Sequence, residues 1–128
     1  IGTTNALETI LTCAASMREM PVHFLFVGDG DLRARYVEET RDLPNVTFAG
    51  PVAKAQVKNV LAHCDLAYFS TFPSPVWRYG MSLNKVIDYM LAGIPILGSY
   101  SGFPTMIDDA DCGTTVPAGD VASLSVEI

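Results

Sequence analysis

The chain has 128 residues, 49% of them hydrophobic, which is enough for one substantial core and too few for two ordinary domains. Its net charge of -6 and eight scattered basic residues argue against a nucleic-acid surface, which needs clustered Lys and Arg. The three cysteines form no close pair and lack a histidine at zinc spacing, so we expect a reducing, cytoplasmic setting and no metal site. No apolar run approaches the ~18 residues of a membrane span.

Apolar periodicity predicts helices and strands that alternate along the chain. In the first half these are a helix over 3–20, a strand over 23–27, a helix over 32–43, a strand over 46–49 and a helix over 54–63. In the second half they are a strand over 66–69, a loop over 70–81, a helix over 82–92, a strand over 94–98, a helix over 104–109, a strand over 114–116 and a helix from 122. The strands are continuous apolar runs, which is typical of a parallel sheet covered by helices on both faces. We therefore expect a Rossmann-like α/β fold.

The predicted helix 82–92 is the most informative segment because it opens with polar and cationic residues and ends at Gly93. Ser82 is expected to cap it by accepting from the amide of Asn84 or Lys85. The free amides of the first turn and the helix dipole favour an anion, and Lys85 adds a full positive charge. This arrangement predicts a phosphate site at the start of the helix.

The same helix has a predicted apolar stripe and an opposite polar face. The residues expected to pack on the sheet are Leu83, Val86, Ile87, Met90 and Leu91. Lys85 and Asp88 share the other face. The alternative role for these two residues is a solvated surface pair worth about 0.2–0.5 kcal/mol.

Glycines follow the ends of the predicted strands, at Gly28, Gly30, Gly50, Gly80 and Gly102. Ligands of parallel α/β sheets bind at this edge, where glycine permits tight turns and close approach to a ligand. The need for a tight backbone turn would explain the glycine in any one of these loops. Glycines in all of these loops, together with the nearby lysine, favour a phosphate-containing ligand. The chain has no complete dinucleotide fingerprint, no P-loop and no nucleophile elbow, which excludes the enzymes that need those motifs.

Four segments in order resemble a known family. They are Thr4–Leu11, Phe26–Gly30 with its "VGDG" turn, Asn45–Val52, and a closing segment from Asp88 through Pro95 and Gly102–Pro104 to Asp120. The chain resembles the C-terminal, donor-binding domain of GT-B glycosyltransferases of family 4, the large retaining group. Within that family, Tyr79–Lys85 is similar to a subgroup seen among bacterial surface-polysaccharide transferases.

The resemblance implies roles for individual residues. The nucleobase, uracil in the commonest case, would meet the backbone at Gly50, Pro51 and Val52. Asp88 would accept from the ribose hydroxyls, as a carboxylate can. The donor diphosphate would contact Gly2, Ser82, Leu83, Asn84, Lys85 and Arg78. The remaining donor-site loop residues would be Gly28, Asp29, Gly30 and Gly80.

Two positions depart from the family pattern. Eight positions before Asp88, where the family has its earlier acidic residue, this chain has Gly80. Where the family often has a basic residue after the first strand, this chain has the neutral Asn5. Our hypothesis is that Lys85 supplies the missing positive charge, with Arg78 as the best second cation. The loop over 72–79, which contains Arg78 and the only Trp, could contact the sugar and phosphate or only pack its own aromatics.

The resemblance implies a glycosyltransferase that moves a sugar from a nucleoside diphosphate to an acceptor in bacterial surface-polysaccharide or glycan synthesis. We expect residues 1–128 to be a single donor-binding domain truncated at both ends. By itself it would be inactive, because an N-terminal domain would bind the glycan or lipid-linked acceptor. The sugar nucleotide would be a substrate, with no cofactor, and the full protein would be cytoplasmic or peripheral at the inner membrane face. The alternatives are a non-catalytic nucleotide-binding module and a related sugar-nucleotide epimerase.

Overall fold

A computed structural model of the protein describes the backbone of residues 1–128 and every side chain except that of Thr4, which opens one of the resemblance segments and lies outside the described part. The helices are α1 (Glu8–Ser16), α2 (Arg33–Glu39), α3 (Lys54–Leu61), α4 (Asn84–Ala92), α5 (Met106–Ala110) and α6 (Val121–Glu127). The strands are β1 (Phe24–Val27), β2 (Val46–Ala49), β3 (Ala67–Ser70), β4 (Ile96–Ser99) and β5 (Gly113–Val116), and short 3₁₀ turns span Thr3–Asn5 and Pro75–Tyr79.

The strands pair in parallel, as the sequence predicts, but they form two sheets. In the first sheet β1 pairs with β2, with Phe24 opposite Val46. In the second sheet β4 lies between β3 and β5, with Ile96 opposite both Ala67 and Gly113. Within the described residues no backbone hydrogen bond joins β1 to β3, so the expected single sheet is divided at this point.

Helices cover both faces of the second sheet, which confirms the predicted α/β fold class. Successive side chains of a strand point to opposite faces. Ile96 packs into a cluster with Val86 of α4 and Ile107 of α5. The next residue, Leu97, packs into a different cluster with Leu124 of α6 and with α1. None of the helices in the described part of the chain has the length and hydropathy that a membrane crossing requires.

The predicted helix over 3–20 is interrupted near its start. Ala6 adopts a left-handed conformation with φ of +44°, which ends the 3₁₀ turn before α1 begins. Left-handed backbone is uncommon for a residue with a side chain, and tertiary contacts stabilise it here. One such contact runs from the Ser70 hydroxyl, at the end of β3, to the carbonyl oxygen of Asn5. The segment before α1 is therefore attached to the second sheet.

Helix α4 begins later and faces differently than the sequence predicts. Leu83 is its N-cap residue, no side chain caps it, and Ser82 lies outside the helix, so the predicted Ser82 cap is wrong. Val86 is buried, but Ile87 and Leu91 of the predicted stripe are 43% and 75% exposed. The packed face includes Tyr89, whose hydroxyl donates to the carbonyl of Tyr68 at 3.2 Å. Lys85, one turn before Tyr89 on the same helix, is partly buried as well.

Candidate functional site

The chain segment before α1 lies across the carboxyl ends of β1 and β3. The Thr3 hydroxyl donates to the Asp31 carboxylate at 2.6 Å, and this hydrogen bond lowers the pKa of Asp31. On the other side, the Asn5 carbonyl accepts from Ser70. The segment therefore joins the loops that follow the two strands. Parallel α/β folds bind ligands at this edge.

The turn after β1 is shaped to receive this segment. Gly30 has φ of +157°, and a Cβ atom there would overlap the carbonyl group of Ile1. Glycine is thus required at Gly30 both by its backbone conformation and by the close approach of the chain. The Asp29 carboxylate accepts from the Gly30 amide at 2.9 Å and holds the turn. Of the predicted donor-site loop residues, Gly28, Asp29 and Gly30 all lie in this turn, beside Gly2.

Lys85 reaches the same region from the first turn of α4. Its ammonium donates to the side-chain oxygen of Asn5 at 2.6 Å, and burial lowers the pKa of Lys85. Among the described residues Lys85 forms no ion pair, because its hydrogen-bond acceptor is a neutral amide. The positive charge of Lys85 is therefore held in place without being cancelled by a carboxylate.

Asp88 has a different partner from Lys85. The Lys54 ammonium, at the first residue of α3, lies 2.7 Å from Oδ1 and 2.5 Å from Oδ2 of Asp88. The alternative of a solvated Lys85–Asp88 pair is therefore wrong, since each residue contacts a group on another element. Asp88 is only 25% exposed, so its carboxylate lies in the groove between α3 and α4 rather than on an open surface.

The predicted nucleobase residues follow β2 and lead directly into α3. Gly50 and Pro51 are exposed, whereas Val52 is partly buried and lines a depression of about 410 Å³ with Leu25 of β1. Because Lys54 follows this loop by two residues and contacts Asp88, the structure brings the predicted nucleobase segment close to the predicted ribose carboxylate.

Arg78 lies in the 3₁₀ turn after β3 and faces the loop after β4. Its guanidinium is 4.8 Å from the centre of the Tyr79 ring, and it lines a second depression of about 410 Å³ with Ser101 and Phe103. The Trp77 indole donates to the Phe72 carbonyl at 2.8 Å, and its ring meets that of Tyr100 edge-on at 6.1 Å, so Trp77 packs against the protein.

Gly80 ends this 3₁₀ turn in a conformation that only glycine adopts readily. Its φ is +103° and its ψ is 175°. Backbone in this region is essentially restricted to glycine. The position at which the resembled family has an acidic side chain is therefore one where the backbone of this chain favours glycine.

Sequence reasoning missed two residues of the site, Lys54 and the side chain of Asn5. A cation at the first position of a helix is disfavoured by the helix dipole, so Lys54 at the start of a predicted helix was a usable signal of a tertiary partner. The contact of Asn5 with Lys85 joins residues that are 80 positions apart, so no pattern in the neighbouring sequence predicts it.

A comparison with protein families gives a match over almost the whole chain. The matching family is described as glycosyl transferases group 1, and the match covers residues 2–128. No match was found among curated proteins. The family match agrees with the parallel α/β fold. The chain belongs to the glycosyl transferases group 1 family and is a glycosyltransferase domain.

Proposed function

We propose that residues 1–128 form the donor-binding, C-terminal domain of a family 4 GT-B glycosyltransferase, which binds a nucleoside diphosphate sugar, UDP-linked in the commonest case. A second domain would hold a glycan or lipid-linked acceptor, and the sugar would pass to it with retention in bacterial surface-polysaccharide or glycan synthesis. The observation that carries the proposal is the Lys85 ammonium, which is held by Asn5 and not neutralised by any acid among the described residues.

The diphosphate would bind at the start of α4. The first amides of a helix have no intrahelical acceptor, and the helix dipole favours an anion there. Leu83, Asn84 and Lys85 provide these amides, with Ser82 exposed beside them. As the sugar leaves, negative charge accumulates on the diphosphate, and groups fixed in advance stabilise this charge effectively. Lys85 is such a group because its position is set by Asn5.

The nucleoside would extend from this point towards α3. Asp88 lies one turn after the first residue of α4 and would accept hydrogen bonds from the ribose hydroxyls. Gly50, Pro51 and Val52 would face the base, since they lead into the helix whose first residue contacts Asp88. The turn Gly28–Gly30, Gly2, Gly80 and the second cation Arg78 stay predictions as further donor contacts.

We also propose a cytoplasmic location for this domain. All three cysteines, Cys13, Cys64 and Cys112, are free thiols. Free thiols in a domain of this size fit a reducing compartment, which is also where this proposal places the sugar nucleotide.

Calorimetric titration with a ligand panel tests the proposal. The panel is UDP, GDP, uridine, guanosine, pyrophosphate and the corresponding sugar nucleotides. We expect one of the nucleoside diphosphates to bind at least tenfold more tightly than its nucleoside, because the diphosphate uses Lys85. Equal affinity for nucleoside and diphosphate, or no binding of either diphosphate, would contradict the proposal.

The alternatives give different outcomes in activity assays. A binding module would ignore the sugar even when its partner domain is attached, whereas a transferase would then discriminate among donors. An epimerase would convert the sugar nucleotide without any acceptor, and NMR of the sugar would detect the new epimer.

A further inference from the structure

We propose that Lys54 competes with the ribose for Asp88, and so sets how much affinity the ribose hydroxyls add to nucleotide binding. The inference rests on the proposed function, since it takes Asp88 as the ribose acceptor. It concerns a residue of α3 that belongs to neither the predicted diphosphate contacts nor the predicted base contacts.

The geometry of the ion pair indicates competition rather than support. The Lys54 ammonium contacts both carboxylate oxygens of Asp88, at 2.7 Å and 2.5 Å. A cation at hydrogen-bond distance from both oxygens lies on the edge of the carboxylate between them. A ribose cis-diol that donates one hydroxyl to each oxygen would approach that same edge. Ammonium and diol therefore cannot both take these positions.

Displacing Lys54 should be possible without disturbing the fold. Its side chain is 75% exposed, while the side chain of Asp88 is 25% exposed. The ammonium can therefore move into solvent while the carboxylate stays in the groove. An ion pair whose cation lies mostly in solvent is weak, and a lysine at the first position of α3 gains nothing from the helix dipole. The Lys54–Asp88 contact thus reduces the contribution of the ribose hydroxyls to nucleotide affinity without blocking nucleotide binding.

The contact also connects two parts of the site. Lys54 follows the loop of Gly50, Pro51 and Val52, and Asp88 lies on α4 with Lys85. While Lys54 and Asp88 are paired, the loop of Gly50, Pro51 and Val52 is linked to α4. When a ribose replaces Lys54, the ligand itself makes this connection.

The test compares Lys54→Met with a matched control, Lys58→Met. Lys58 is an exposed lysine of the same helix and forms no ion pair among the described residues. Each protein is titrated by calorimetry with UDP and GDP and with the 2′,3′-dideoxy form of each. The measured quantity is the affinity ratio of the ribose ligand to the dideoxy ligand. The ratio removes the general effect of losing one positive charge, because both ligands carry the same diphosphate.

We expect Lys54→Met to raise this ratio about two- to fivefold, the range expected for an exposed ion pair, and Lys58→Met to leave it unchanged. The increase should vanish when Asp88→Asn is present in both proteins. A ratio that stays constant or falls in Lys54→Met overturns the inference and leaves the proposed function intact, provided that the diphosphates still bind through Lys85. If no diphosphate binds to any of the proteins, both the proposed function and this inference are wrong.

Discussion

The ammonium of Lys85 donates a hydrogen bond to the side-chain oxygen of Asn5 at 2.6 Å, between residues 80 positions apart in the sequence. Asn5 is in turn attached to β3, because its carbonyl accepts from Ser70. The amide orients the ammonium without cancelling its charge. The pair therefore forms a positioned cation at the edge where the proposed diphosphate binds.

Replacing Lys85 with Met should weaken binding of a nucleoside diphosphate at least tenfold, which corresponds to about 1.4 kcal/mol. The reason is that the variant keeps the apolar stem but loses the charge that faces the diphosphate. Isothermal titration of both proteins measures the effect, and Lys58→Met serves as the control. Unchanged affinity in Lys85→Met would show that Lys85 does not bind the diphosphate.

Substitutions of Asn5 distinguish the effect of the position of the Lys85 ammonium from the effect of its charge. Asn5→Asp keeps an oxygen acceptor for Lys85 but adds a carboxylate that cancels its charge. We expect this variant to lose about tenfold or more in diphosphate affinity, and Asn5→Ala to lose less, because Lys85 then stays charged but is less fixed. The order of the two dissociation constants is the measurement. The reverse order would mean that Asn5 acts only through the shape of its turn.

As pH rises, the affinity for the diphosphate should begin to fall at a lower pH than it would if Lys85 had the pKa of an ordinary lysine. Burial lowers the pKa of Lys85 below 10.5, so the ammonium loses its proton as pH rises through this lowered value. Between the lowered value and 10.5 the unfolded chain binds more protons than the folded one, so the stability of the free protein rises with pH while nucleotide affinity falls. Dissociation constants measured across this range test the prediction. Lys85→Arg should remove the alkaline loss, and a similar loss in that variant would assign it to another group.

Asp88→Ala should reduce affinity for a ribonucleotide and leave the fold unchanged. Its carboxylate is the proposed acceptor for the ribose hydroxyls, and its ion pair with Lys54 contributes little stability because Lys54 is exposed. Titration with a nucleoside diphosphate and its deoxyribose form gives the comparison, with circular dichroism as the check on folding. If both forms lose the same affinity, the ribose assignment is wrong.

Gly80→Ala should destabilise the protein by about 1–3 kcal/mol, the usual cost of a strained backbone conformation. A Cβ atom at Gly80 would meet no neighbouring atom, so the cost comes from its φ of +103° alone. Gly50→Ala is the matched control, because Gly50 has equal space and no positive φ. Urea unfolding of the two variants measures the difference. Equal midpoints would show that the turn at Gly80 relaxes easily.

The local patterns of the sequence determined the fold class and the order and approximate positions of its helices and strands. Short apolar runs bounded by glycine and proline indicate strands, because each run is too short for a helix, and of these strands β3 and β4 are mostly buried. Gly93 ends α4 in the left-handed conformation that the sequence pattern suggests, with φ of +71°. Cys13 of α1 is fully buried, which is common for a free cysteine because its thiol behaves as a small apolar group.

Tertiary structure alone decided which polar groups meet at the site. Asn5 and Lys85 are 80 residues apart, and Lys54 and Asp88 are 34 residues apart. Sequence periodicity reports only on neighbours within a turn or a strand, so it assigned Lys85 and Asp88 to one solvent face. In the structure Tyr89 of the same helix contacts β3, and Lys85 and Asp88 each contact a residue that is distant in the sequence. The same long-range packing, through the left-handed turn at Ala6, places the start of the chain beside β3.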